Sequence, residues 1–198
     1  MLRVVEASET LPVTLDLAKA HLMVEADDQD ELIETYLRAA VQFFEHQTTR
    51  CLTPTVYELR LDEWPCEAVE LPVAPVRSVI SVSYIDEDGE EQVLGADAWD
   101  WEYSDFGAAV MLDAQLPKPV LGRERGGFRI GFIAGYDVPG TADSPPDANL
   151  SLPQAAKAAV MQLTQHWFEN RSTVSAGEAV TDVPFSTGRM IAMMRIWR

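Results

Sequence analysis

The sequence predicts an α+β protein, with a helical core of two N-terminal helices plus one C-terminal-half helix, an inserted small antiparallel β region and an extended C-terminal tail. Three observations carry this expectation. Apolar residues recur at three- and four-residue steps in the first 50 residues and again after Leu152; the period switches to two between Thr55 and about Tyr136; and strong periodicity is lost after Arg171. The expected organisation is a single domain over 1–175, with helices at about 14–24, 29–50 and 152–171 and the β insertion at about 55–136, followed by a tail over 176–198.

Thr14 stands where an N-cap belongs, ahead of Leu15, Leu17, Ala18, Leu22 and Met23, whose spacing gives a short amphipathic helix ending near Val24. The acidic run Asp27, Asp28, Asp30 and Glu31 opens a second helix, with Asp28 as its expected N-cap and carboxylates favoured by the positive end of the helix dipole. There Ile33, Tyr36, Leu37, Ala40 and Phe44 form one apolar stripe, while Glu34, Arg38, Gln42 and Glu45 face elsewhere. Pro54 forbids continuation, because it lacks an amide hydrogen and clashes with the preceding turn.

Beyond Thr55, Tyr57, Leu59 and Leu61 alternate with Glu58, Arg60 and Asp62, the mark of a half-buried strand. Val76 to Ile85 is rich in β-branched residues, and Asp88-Gly89 suits a tight hairpin turn that returns through Gln92 to Leu94. Trp99, Trp101 and Tyr103 alternate with Asp100 and Glu102; Ala108 to Leu112 is a short apolar run; Phe128, Ile130 and Phe132 alternate before Gly135. Lys118 to Gly127 reads as a mobile loop and Asp137 to Asn149 as an irregular connector. Ser151-Leu152-Pro153-Gln154 has the form of a capping box for a third helix, whose apolar face is Ala156, Ala159, Val160, Leu163 and Trp167 and whose natural partner is the second helix. The terminal run Met190, Ile191, Met193, Met194, Ile196 and Trp197 is apolar and flanked by Arg189, Arg195 and Arg198. It reads either as a last helix covering the core or as an anchor on another protein, since Met, aromatic residues and Arg are enriched at interface centres.

The 198 residues, 47% hydrophobic and 24% charged, suffice for a well-buried core. A formal net charge of −17 argues against adhesion to nucleic acid, whose phosphates attract Lys and Arg. The first ten residues lack a signal-peptide pattern and no stretch approaches the apolar length of a membrane span, so a cytoplasmic protein without membrane contact is expected. Cys51 and Cys66 are expected to be reduced and structurally incidental.

No catalytic, cofactor or metal site is expected. His21, His46 and His166 fall on three different helices without paired ligand spacing, and neither cysteine forms a Cys-x-x-Cys pair. Asp86-Glu87-Asp88-Gly89 begins like a calcium loop, but the later ligand spacing fails and strands flank it. Gly126, Gly127, Gly131 and Gly135 lack the Lys-Ser/Thr of a phosphate loop, and no nucleophile-elbow sequence occurs.

The order of these segments resembles the head-to-tail adaptor (connector) family of long-tailed phages and phage-derived gene-transfer particles. The likeness is carried by Pro12-Val13-Thr14-Leu15 with Ala18-Lys19-Ala20-His21-Leu22, the acidic opening and helix Asp30 to Arg50, Leu71-Pro72 through Pro75-Val76 to Val79, and Tyr84-Ile85-Asp86-Glu87-Asp88-Gly89. It continues in Ala134-Gly135-Tyr136 and His166-Trp167-Phe168-Glu169-Asn170-Arg171. The resemblance implies no catalysis but a dodecameric ring of neighbouring adaptor subunits beneath a portal protein, in the neck of a virion or particle, with a tail-completion or stopper protein on the other side. It implies that the C-terminal segment engages the portal, for which Phe185, Arg189, Met190, Met193, Met194, Arg195, Ile196 and Trp197 are the candidates. The stretch from Pro184 to Trp197 is accordingly expected to be poorly ordered until it binds. A closed ring leaves a lumen, and Asp27, Asp28, Asp30, Glu31 and Glu34 are candidates for an acidic lining that lets DNA pass without specific binding.

Two other readings compete. An acidic DNA-mimic inhibitor accounts for the charge but not for the C-terminal run. A small hydrolase would need a cleft that gathers His and acid residues in three dimensions.

Overall fold

The computed structural model describes residues 1–104, 107–122, 125–137, 150–171 and 185–196. Among them are four helices and two antiparallel sheets, so the chain is mixed α+β. In chain order the elements are β1 (Leu2–Glu6), α1 (Leu15–Leu22), α2 (Asp30–Thr48), β2 (Thr55–Leu61), β3 (Val69–Glu70), β4 (Val76–Ile85), β5 (Glu91–Val93), β6 (Trp99–Ser104), β7 (Gly107–Leu112), β8 (Phe128–Ala134), α3 (Gln154–Glu169) and α4 (Phe185–Met194).

Thr14 caps α1 as its sequence position suggests, its hydroxyl accepting from the Leu17 amide at 3.3 Å. Two other caps are corrected. The residue before α2 is Gln29 rather than Asp28, and it makes no side-chain cap bond. The residue before α3 is Pro153, also without a side-chain cap, while Ser151 lies in a bridge with Asp137. In both cases the acid or hydroxyl sits one or two residues outside the position from which it reaches the first free amides.

The apolar stripes predicted for α2 and α3 meet. Ile33, Leu37, Ala40 and Phe44 of α2 and Ala156, Ala159, Val160 and Leu163 of α3 are fully buried in one cluster, with Ala18 of α1 beside them. Each large side chain removed from water contributes about 1.5–3 kcal/mol, and the alanines of α3 let the two helices approach closely. Phe43 and Trp167 meet edge to face at 5.8 Å across the same seam. Arg171, after α3, donates to the Gln29 side chain at 2.7 Å, tying the far end of the pair.

The β region holds two sheets, ordered β1-β2-β8-β4-β5 and β3-β7-β6. In β8 burial alternates strictly, because Phe128, Ile130, Phe132 and Ala134 point to the shared interior. Ala108 and Val110 of β7 enter that interior from the other sheet, with Trp99 and Trp101 packed against it. The sheets therefore pack by their inner faces. The Asp88-Gly89 turn forms as expected: Gly89 has φ +85°, and the Asp86 carboxylate accepts from the amides of Asp88 (3.1 Å) and Glu90 (2.9 Å) and from Gln92 Nε2 (2.8 Å). These bonds, the one from Gln92 foremost, hold the Asp86 carboxyl below its ordinary pKa.

Two expectations fail. The β region is not purely an insertion, because β1, which precedes the helices, adds antiparallel to β2 at the edge of the larger sheet. All five of its residues are exposed, so no apolar and polar alternation announced it. Nor are residues 185–194 of the C-terminal segment extended. They form α4, which packs on α2 and α3 through the buried Thr187 and Ile191, each three residues before a half-buried methionine, Met190 and Met194. The apolar run is a helical stripe whose fourth-residue spacing buries one side only. Pro184, Trp197 and the 138–149 connector lie outside the described residues.

Candidate functional site

The helical and β cores join at residues 48–54, and this junction also receives the C-terminal segment. The Cys51 amide donates to the Ala74 carbonyl at 2.9 Å, and the Gly135 amide to the Pro75 carbonyl at 2.8 Å. Gly135 has φ +132°, and a Cβ there would run into the Thr53 carbonyl, so only glycine allows this close approach. Arg50 is the hub. Its Nε donates to the Met194 carbonyl at the end of α4 (2.7 Å) and its NH1 to the Tyr136 hydroxyl (2.8 Å). Burial raises the Tyr136 pKa, and the Arg50 charge opposes that shift. The Ile196 amide donates to the Thr48 carbonyl at 3.2 Å, extending the attachment past the helix.

A cleft of about 310 Å³ lies beside this junction, between residues 4–12, α2 and β2. On its wall the Glu45 carboxylate accepts from the Leu52 amide at 2.7 Å. Burial pushes the Glu45 pKa up, with the Leu52 amide pulling the other way. The Cys51 thiol is likewise raised by burial and then by the Glu45 charge, which leaves it a protonated core thiol donating to the Thr53 carbonyl at 2.9 Å. Cys66 is exposed, and both cysteines are free. Among the described residues no group of three or more His, Cys, Asp or Glu is gathered as metal ligands would be, and no helix is long and apolar enough to cross a membrane.

The candidates on α4 divide by face. Phe185, Arg189 and Met193 stand four residues apart and are all exposed, Phe185 by 77% and Met193 by 85%, with the Arg189 guanidinium 5.1 Å from the centre of the Phe185 ring. Met190 and Met194 are turned to the helical core, Arg195 is exposed and Ile196 is half-buried. Trp197 lies outside the described residues. Arg50 and Ile191, which hold this stripe in place, were not among the candidates. The four-residue step from Thr187 to Ile191 was the available signal for the second; nothing local announced Arg50.

The acidic candidates gather where α1 meets the start of α2, but with less free charge than their number suggests. Lys19 bridges Asp27 at 2.5 Å and Asp30 at 2.6 Å, and Arg38 pairs with Glu34 at 2.6 Å. Hydrogen bonding, first to Asp27 and then to Asp30, holds the Lys19 ammonium above its ordinary pKa; the same contact lowers that of Asp27. Asp28 and Glu31 are exposed and form no ion pair among the described residues.

Comparison with known proteins places this architecture in a class of structural particle components. A chain in the neck of an empty GTA particle solved with C6 symmetry is similar at 25% identity and TM-score 0.78, covering 100% of this chain and 96% of that one. A chain in the virion of a native gene transfer agent particle is 26% identical with TM-score 0.75, and one in a native GTA neck solved with C12 symmetry is 26% identical with TM-score 0.69; each covers 100% of this chain and 96% of its own. No curated protein matches in sequence. Residues 12–91 match the family model described as phage gp6-like head-tail connector protein. The family and the structural neighbours are structural neck proteins of phage-like particles, not enzymes.

Proposed function

We propose that this chain forms a ring of twelve subunits beneath a portal protein and joins a DNA-filled head to a tail, meeting a tail-completion or stopper protein on its far side. The observation that carries the reading is the end-to-end likeness to chains of gene-transfer-agent necks, one of them solved with C12 symmetry. Subunits are made and assembled in the cytoplasm and come to rest in the particle neck. The exposed stripe Phe185, Arg189 and Met193 docks on the portal, a role suited to an aromatic, a cation and a flexible apolar side chain on one rigid face. Asp28 and Glu31, the acids of the α2 corner without an ion pair, line the lumen and repel DNA phosphates, while Asp27, Asp30 and Glu34 keep that corner ordered through Lys19 and Arg38.

Electron microscopy of purified particles tests this reading. The chain is expected as a ring between portal and tail, and particles carrying Phe185→Ala with Met193→Ala are expected to lose that ring while the purified variant keeps its helical circular dichroism. Normal neck occupancy by the double variant would remove α4 as the portal contact; density for this chain elsewhere in the particle would remove the adaptor role.

A further inference from the structure

The larger sheet ends on β1, whose backbone is open along one side. Met1 and Arg60 exchange both main-chain bonds, the Arg60 amide donating to the Met1 carbonyl at 2.8 Å and the Met1 amino group to the Arg60 carbonyl at 2.6 Å. In an antiparallel pair such bonded residues alternate with unbonded ones. Arg3 therefore bonds to Glu58 opposite it, while Leu2 and Val4 turn their N–H and C=O groups away from β2. Among the described residues no main-chain bond from another element reaches these groups, and all five residues of β1 are exposed. The other sheet edges are short, β5 of three residues and β3 of two, or carry two carboxylates, Asp100 and Glu102 on β6.

The side chains of β1 say what suits its open side. On the inner face Leu2 stands beside the buried Leu59, and Val4 beside Tyr57, which stacks on Phe132. The core thus runs out to the sheet edge, where Leu2 is 37% and Val4 50% exposed. Between them, on the outer face, Arg3 is exposed and forms no ion pair among the described residues, because Glu58 opposite it is held by Arg60 at 2.5 Å. β2 meets β1 with Tyr57-Glu58-Leu59, so apolar, acidic and apolar side chains lie against Val4, Arg3 and Leu2. The open side of β1 offers the same three side chains again, together with unused main-chain donors and acceptors.

We infer that the free edge of β1 takes a strand from another protein, antiparallel to β1, with apolar residues opposite Leu2 and Val4 and a carboxylate opposite Arg3. Main-chain bonds to Leu2 and Val4 supply the attachment, and the alternating side chains supply the selectivity. The bulge between Val4 and Glu6 ends the regular edge, so the added strand is short and acts beside other contacts between the two proteins. The β1 edge of a second copy is a poor occupant. With Leu2 against Val4 of the other copy, Arg3 stands directly opposite Arg3, and like charges so placed are destabilising; centring the pair on Val4 carries Leu2 into the other copy's bulge. The inference goes beyond the ring and portal reading and does not depend on it.

The test titrates the full chain with a peptide of the β2 sequence, Thr-Val-Tyr-Glu-Leu-Arg-Leu, and follows the amides by NMR. The peptide is expected to shift the Leu2 and Val4 amides and to slow their exchange. Val4→Pro removes an outward N–H that β2 does not use, at a place where an edge strand accepts proline, and should weaken binding about tenfold. Arg3→Glu leaves the main chain intact and should weaken binding about fivefold, while a peptide with its Glu replaced by Arg should bind this variant better than it binds the wild type. Circular dichroism and the β2 amides report that each variant is folded. Absence of binding to the wild type overturns the inference, and so does unchanged binding by either folded variant. Native mass spectrometry of the chain alone separates the occupants. Self-association is expected to be the same in the wild type and Val4→Pro; its loss in Val4→Pro would make a second copy the occupant and overturn the assignment to another protein.

Discussion

Replacing Arg50 by Met isolates the attachment of α4 from the rest of the core. The long apolar stem is kept, while the bonds from the guanidinium to the Met194 carbonyl at 2.7 Å and the Tyr136 hydroxyl at 2.8 Å are lost. A hydrogen bond from a charged group contributes about 1.5–3 kcal/mol, and Arg50 is only partly buried, so the lower end applies to each. Loss of the Met194 bond alone then favours opening of α4 by about 1.5 kcal/mol, roughly tenfold in the local equilibrium. Packing of Ile191 and the bond from Thr187 to Gln162 at 2.8 Å remain, so α4 stays the majority conformation. Hydrogen exchange read by mass spectrometry is the assay: amides within 185–196 should exchange about tenfold faster, while those in the first half of α2 keep their protection. Unchanged exchange in α4 would refute the clamp. An equal rise throughout the protein would show that Arg50 supports global stability instead.

Glu45→Gln should raise stability at neutral pH. Burial lifts the folded-state pKa of Glu45 above its ordinary 4.5, so between these values the folded state binds the proton more often and stability falls as pH rises through that window. The urea midpoint of the variant should exceed that of the wild type at pH 7, and the gap should close below pH 4.5, where both states of the wild type are protonated; a gap that widens in acid contradicts the sign. Gly135→Ala places a Cβ against the Thr53 carbonyl at a positive φ. With strain of about 1–3 kcal/mol and about 2–4 °C per kcal/mol for a chain of this size, Tm should drop by about 2–12 °C. A variant melting with the wild type would mean that the junction between the two cores yields easily.

Local spacing was enough for the features whose cause is local. The stripes Ile33–Leu37–Phe44 and Ala156–Val160–Leu163 face one core, Thr14 caps its own helix, and Asp86 and Gly89 build the turn between β4 and β5. The Asp28 and Ser151 caps failed because capping depends on a register of one or two residues, which hydrophobic period alone does not set. β1 was missed because an exposed edge strand needs only backbone partners, and those are supplied by Leu59, Glu58 and Tyr57, more than fifty residues away.

At the C-terminus, composition marked residues 190–196 as apolar and arginine-flanked, but their division between core and surface depends on contacts no local pattern contains. Arg50 meets Met194 across 144 residues, and only with α2 and α3 in place does Ile191 turn inward and Phe185, Arg189 and Met193 outward. The acidic corner is mixed: Glu34 and Arg38 pair four residues apart within α2, a local pattern, whereas Lys19 reaches Asp27 and Asp30 across the turn between α1 and α2. The sequence counts five carboxylates there, and two of them form no ion pair among the described residues, because Lys19 and Arg38 take up the other three. Residue types and their periods thus determined the class of fold, the core stripes and the excess of negative charge. Which side of the last helix faces outward, and which acids Lys19 takes up, was decided by packing, since burial and pairing between elements depend on groups that only the fold brings together.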